Sequence, residues 1–331
     1  MDFGTIFSSA LASALGPTAI VYALAAIGLN VHFGYTGLLN FGQAGFMAVG
    51  AFGLSVSVVT YDLPFVIGVL IALLAAVVLA IILGVPTLRL RADYLAIATI
   101  ATAEILRLIF GAVETKDVFG GSNGLSGFAS TFNGLNPYSG GVDLGFISYR
   151  RGDLWTLTVG WVIVALACLL VWLLMRSPWG RVLRSIREDE DAVRSLGKNV
   201  YAYKMQALVL GGVFGGLGGI VLALFQNNVK GSDFSTNVTF YAYTALLIGG
   251  AARVLGPVIG AMIFWFLMTG IGTFFSQATR GVDPLIPNDI MSDTQASLVR
   301  LVLLGLGLML LMIYRPQGIF GDRKELAIDA R

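Results

Sequence analysis

Nine stretches of this chain are long and apolar, and most of the polar connections between them are too short to fold alone. They lie at about 11–31, 35–60, 64–86, 93–111, 154–175, 203–225, 240–254, 256–277 and 298–314. A helix needs roughly 20 mostly apolar residues to cross the ~30 Å hydrocarbon core of a bilayer. Within that core every backbone amide and carbonyl must find its partner inside the protein. The pattern therefore predicts an all-α, polytopic membrane bundle of about nine spans, a single transmembrane domain over 1–331. Composition supports this. Of 331 residues 56% are hydrophobic and only 12% charged, against about 25% charged in a soluble domain. Two stretches are irregular. "GYTGLLNFGQAGF" within 35–60 is rich in Gly and polar residues, and 240–254 is short and runs into "GGAARVLGP". Each is a candidate broken or re-entrant helix.

Basic residues near helix ends set orientation. "RLRAD" (89–93), the stretch 176–204, Arg253 and the tail "YRPQGIFGDRKELAIDAR" fall on alternate connections and hold most of them. These connections and the C-terminus are expected in the cytoplasm, with the N-terminus outside and the chain multi-pass in the cytoplasmic (inner) membrane. The Gly-, Ser- and Asn-rich loop 112–153 is then external and long enough for a small cap. "MDFGTIFSSALASALG" lacks the basic start of a cleaved signal and is read as retained. The net charge of +2 gives no footprint for nucleic acid. Cys168, the one cysteine, sits in "VALACLLVW" and is read as packing.

About a quarter of all charged side chains crowd into "RSPWGRVLRSIREDEDAVRSLGK", residues 176–198. Val182, Leu183 and Ile186 share one helical face, with Arg181, Arg184 and Arg187 on the others. The acid run Glu188–Asp191 suits a helix start, Arg194 and Lys198 its end, and Gly197 a stop. Val193 and Leu196 supply the apolar side of this second piece. By pattern alone the pair over 176–200 is either a solvated loop that fixes topology or a small apolar ridge that fits a groove on a cytoplasmic partner.

That stretch continues as "NVYAYK" and then "GGVFGGLGGIVLALF". The whole resembles the cytoplasmic coupling region of permeases in branched-chain amino-acid ABC importers, of the LivM type. "GLNVHFGYTGLLNFGQAGFMAVGAF" (28–52), "LRLRADYLAIATIATAEILRL" (88–108), "GGSNGL" (120–125) and "YRPQGIFG" (314–321) occur in the family's order. A "GGxGS"-like turn is replaced here by "IGGAARVLGPVIGA". The resemblance implies that 181–196 dock into an ATPase subunit, with Arg181, Arg184, Ser185, Ile186, Arg187, Glu188, Asp189 and Val193 as coupling residues. It implies a second, LivH-like permease subunit, two cytoplasmic ABC ATPases carrying ATP and Mg, and an extracytoplasmic binding protein. Transport would be alternating access for leucine, isoleucine and valine; urea or short amides are the alternative solutes. The rival class is an ion-coupled secondary transporter or channel.

Polar residues inside spans are costly and face protein or water. Glu104 and Arg107, spaced i, i+3, either pair with each other or line a translocation path. Asn40 and Gln43 either line that path or bond to freed backbone. Asn30 and His32 lie near the inner end of the first span, and His32, the one histidine, either snorkels or hydrogen-bonds at the interface or serves as a proton relay. Gly211, Gly212, Gly215, Gly216 and Gly219 permit close helix packing, within this subunit or against a second one. The sequence has no phosphate loop of the GxxxxGK[ST] type, no metal-ligand spacing and no catalytic motif. No catalytic or metal residue and no cofactor of its own is expected; ATP would bind another chain.

Overall fold

The first apolar stretch is two helices, not the single span predicted over 11–31. In the computed structural model, which describes residues 2–89, 92–143, 148–279 and 293–321, α1 (Phe3–Leu15) stops at Gly16 and α2 (Pro17–Leu29) starts afresh. Proline fits the first position of a helix, where no amide hydrogen bond is lost, and it drives the residue before it out of helical geometry. Gly16 is accordingly extended, at ψ 173°. Hydropathy hid this break because both flanks are apolar.

From α2 the chain enters a π-helical turn, Asn30–Tyr35, and then runs without helix through 37–42 into α3 (Gln43–Val59). The 35–60 stretch is thus unwound over 37–42 and helical over 43–59. α4 (Phe65–Thr87) and α5 (Ala92–Gly111) follow. The 112–153 segment holds short pieces: α6 (Lys116–Phe119), β1 (Leu125–Ser126), α7 (Ser130–Gly134), and the hairpin of β2 (Val142–Asp143) with β3 (Ser148–Tyr149). Then come α8 (Arg151–Arg176), α9 (Pro178–Glu188), α10 (Glu190–Ser195) and α11 (Val200–Gln226). After β4 (Asn228–Val229), which pairs antiparallel with β1, the chain forms α12 (Thr236–Gly249), α13 (Gly256–Thr279) and α14 (Asp293–Tyr314).

Among the described residues six segments are long and apolar enough to cross a membrane alone: 17–35, 65–87, 93–111, 151–176, 200–226 and 256–279. α3 and α12 are shorter. At 1.5 Å per residue, α12 reaches about 21 Å, less than the full hydrocarbon thickness. It runs directly between the 231–235 and 250–255 connections. Its last carbonyls are orphaned, as at any helix end. The segment after α14 takes them: Ile319 donates its amide to the Ile248 carbonyl at 2.9 Å, and Phe320 to that of Gly249 at 3.2 Å.

α2 is buried on every side. It lies among α3, α11, α12 and α13, while α4 and α8 turn broad apolar faces outward, with Leu70, Leu74 and Ile82 on one and Leu166, Leu169 and Leu173 on the other. Lipid replaces water as solvent for such faces. Two polar ends result. One gathers α9, α10, the 250–255 turn and the pairing of 319–320 with α12. The other gathers the 112–150 pieces, where Thr60 Oγ1 donates to the Val118 carbonyl and Tyr149 OH to that of Ala12.

The glycines of α11 face α2, α3 and α4 of this same chain. A Cβ at Gly212 would stand 2.6 Å from the Phe46 ring, and one at Gly219 would drive into the Met47 carbonyl oxygen. Gly216 is looser: its Cβ would meet Ala76 Cβ at 3.1 Å. Backbones this close gain dispersion contact along their length. Gly219→Ala is therefore expected to force α11 from α3 and destabilise by about 1–3 kcal/mol, while Gly216→Ala costs clearly less. Thermal unfolding of both variants in mild detergent measures the difference.

Candidate functional site

The unwound 37–42 segment places peptide groups at membrane depth, where each unsatisfied one would cost about 1–3 kcal/mol. A chain of side-chain amides and one imidazole takes up the local demand. His32 Nε2 lies 3.0 Å from the Leu208 carbonyl of α11, and its Nδ1 lies 3.1 Å from Asn40 Nδ2. A carbonyl only accepts and an amide nitrogen only donates, so the imidazole carries its proton on Nε2. Asn40 Nδ2 gives its other proton to Gln43 Oε1 at 3.0 Å, and Asn40 Oδ1 accepts the Gly42 amide at 2.9 Å. Gln43 Nε2 donates to the carbonyls of Ala25 and Gly211, each at 3.2 Å. Tyr243 OH donates to the Asn40 carbonyl, Thr99 Oγ1 accepts the Phe41 amide, and Thr239 Oγ1 accepts that of Ala44. His32, Asn40 and Gln43 are fully buried. Of the two readings given to Asn40 and Gln43, their geometry is that of backbone partners, sealed within this chain.

Asn30 closes the end of this hinge nearest α9. Its Nδ2 donates to the Arg253 carbonyl and its Oδ1 accepts the Ala252 amide, both at 2.8 Å. The α12–α13 turn is thereby clamped to the π-helical turn.

Next to the hinge sit α9 and α10. Proline begins α9, and Asp189 caps α10 by accepting the amides of Asp191 and Ala192. The pair is anchored to three other elements. Trp179 Nε1 donates to Gln206 Oε1 on α11 at 2.7 Å; Arg184 Nη2 donates to the Met175 carbonyl at the end of α8 at 2.6 Å. Arg187 donates to the Gly34 carbonyl of the π-helical turn, and Glu190 pairs with Lys204 of α11. The expected apolar ridge does not face outward. Leu183, Ile186 and Val193 are buried against this chain's own spans, because an amphipathic helix lying on a bundle turns its apolar stripe to the nearest core. Arg184 and Arg187 are committed to carbonyls of the same chain. Arg181, Ser185, Glu188, Asp189 and Leu196 occupy exposed positions.

Glu104 and Arg107 form the i, i+3 pair, with Arg107 Nε donating to Glu104 Oε2 at 2.9 Å. The side chains are 41% and 29% exposed on α5, an edge helix that also exposes Ile105, Leu108 and Ile109. Sequence reading did not single out Tyr243, Thr99, Thr239 or Lys204. Lone hydroxyls in apolar helices were the available signal, but only the fold brings them onto 40–44.

These features, a sealed break in the spans with a helical pair anchored beside it, belong to a polytopic helical membrane protein. The chain belongs to the family described as branched-chain amino acid transport system, permease component, whose profile matches residues 12–314. It is 30% identical over 311 residues to the high-affinity branched-chain amino acid transport system permease protein LivM of Escherichia coli K12, covering 91% of this chain and 68% of that protein. It is 26% identical to a probable LivM permease of Methanocaldococcus jannaschii, covering 92% and 91%. A guanosine ABC transporter permease of Bacillus subtilis is 27% identical, covering 77% and 80%.

Gln43→Leu keeps the bulk at the hinge and removes three hydrogen bonds. It is expected to cost about 2–4 kcal/mol and to raise amide exchange across 37–44, read by hydrogen–deuterium exchange mass spectrometry. Unchanged protection there would count against a hinge role for the network.

Proposed function

We propose that this chain is the membrane subunit of an ATP-driven importer, and that its solutes are branched-chain amino acids. The observation that carries the mechanism is the anchoring of α9 and α10 to α8, to α11 and to the π-helical turn at once. A push on their exposed face is delivered to the turn through Arg187 and to α11 through Trp179 and the Glu190–Lys204 pair. The turn is tied to the unwound segment, so spans on either side of it can reorient together. The end bearing α9 and α10 lies in the cytoplasm on this reading, since most of the basic residues in connections gather there. ATP hydrolysis takes place on partner ATPase chains that contact Arg181, Ser185, Glu188 and Asp189. A second permease subunit completes the path, and an external binding protein delivers solute. The names of the LivM relatives support the solute class. The guanosine permease among the relatives shows why the solute needs direct measurement.

α5 is the best candidate for a path wall. An ion pair facing lipid on an edge helix would be costly, so its exposed face suits water or a second subunit.

Three measurements test the reading. Purification from the native membrane in mild detergent should bring along an ATPase and a second permease; recovery of the chain alone, still moving solute when reconstituted, would overturn it. Reversing the outward charges, Arg181→Glu with Glu188→Arg, should cut ATP-dependent leucine uptake by about tenfold or more with unchanged expression and unfolding temperature. Swapping the α5 pair, Glu104→Arg with Arg107→Glu, should preserve insertion because the pair survives. If α5 walls the path, uptake falls nonetheless.

A further inference from the structure

A groove of about 690 Å³ opens where α8 ends. Trp172, Arg176, Arg184, Arg253, Leu255 and Phe320 are among the residues that line it, and no Asp or Glu is among its described lining residues. Three arginines thus converge from α8, from α9 and from the α12–α13 turn. Two are positioned in advance: the Arg176 guanidinium carbon lies 4.1 Å from the centroid of the Trp172 ring, and Arg184 is tied to the Met175 carbonyl. A guanidinium held this way loses little freedom when it binds an oxyanion, and its fork matches phosphate.

The rest of the groove suits an amphiphile, not a free anion. Leu169, Trp172, Leu255 and Phe320 are 51%, 40%, 59% and 48% exposed. From Leu169 an outward apolar column of Val162, Leu166 and Leu173 runs along α8 at helical spacing. Charge and oil therefore meet at the end of a span, the level at which a lipid headgroup sits, with a tryptophan of the kind enriched at that boundary. The exposed α9 and α10 positions assigned to an ATPase contact, Arg181, Ser185, Glu188 and Asp189, are not among its described lining residues.

We infer that this groove binds one anionic phospholipid, its phosphate between Arg176 and Arg184 and an acyl chain along Val162, Leu166 and Leu169. A zwitterionic headgroup is disfavoured because its ammonium would be held among guanidinium groups. Basic pockets between spans at a membrane face have the chemistry such headgroups need. The inference rests on the membrane-spanning fold and stands independently of the solute.

The test uses the full chain purified in mild detergent, with native mass spectrometry in equal phosphatidylglycerol and phosphatidylcholine. Retention of phosphatidylglycerol should exceed that of phosphatidylcholine by about tenfold. Arg176→Gln should abolish the preference, and inorganic phosphate at matching concentration should not displace the lipid. Should that variant fail to fold, the wild type decides: phosphatidylglycerol carrying a diazirine near the head of its acyl chain should label peptides from 162–176 or 252–259. Equal retention of the two lipids, a folded variant with its preference intact, displacement by phosphate, or labelling confined to other spans would each overturn the inference. So would a photo-crosslinker substituted for Trp172 that captures a protein chain in intact membranes instead of lipid.

Discussion

The need to satisfy backbone at membrane depth governs this molecule. An intact helix meets that need by itself, but 37–42 cannot. That segment draws side chains from the π-helical turn, α3, α5 and α12 (His32, Gln43, Thr99, Thr239 and Tyr243, with Asn40 of the segment itself) and backbone carbonyls from α2 and α11 to one point. These contacts set where α3 begins and how α12 leans on it. The glycines of α11 belong to the same solution, since Gln43 reaches the Gly211 carbonyl only because that backbone comes close. A polar network in an apolar interior is valuable when complete and harmful when partial; here each amide proton of Asn40 and Gln43 has an acceptor.

α9 and α10 depend on the hinge in turn. They bury little of their own, and their position derives from contacts with the ends of other elements. Arg187 reaches from α9 to the six-residue π-helical turn, and Asn30, the first residue of that turn, clamps the α12–α13 turn to it. The wide spacing of a π-helical turn makes it a local departure from the α-helical ladder of the kind found at functional sites. Movement of the charged pair cannot leave that turn unaffected unless its hydrogen bonds break.

Much of this was legible in the sequence, and the exceptions have physical causes. Apolar length placed most spans, since bilayer thickness is a strict ruler. The Gly- and polar-rich run after Tyr35 marked the break, because only such residues tolerate it. The division at Gly16–Pro17 was missed since hydropathy averages over a boundary whose signal is one proline. The face of α9 was misjudged for another reason: periodicity says that Leu183 and Ile186 share a side but not which body lies against it. Glu104 and Arg107 were readable as a pair from spacing alone. The partners of Asn40 and Gln43 were not, because Gly211 and Tyr243 are far away in sequence.

The pairing of Ile319 and Phe320 with the end of α12 has a consequence for biosynthesis. The acceptors, at 248 and 249, leave the ribosome roughly 70 residues before their donors, an interval of several seconds at about 5–20 residues per second. During that interval the C-terminal end of α12 is open, and so is the adjoining turn that Asn30 must grip. Insertion of the spans can proceed in order, but closure of this corner waits for residues 319–320 to emerge. Translation speed over the codons between 249 and 320 then becomes part of how this permease assembles.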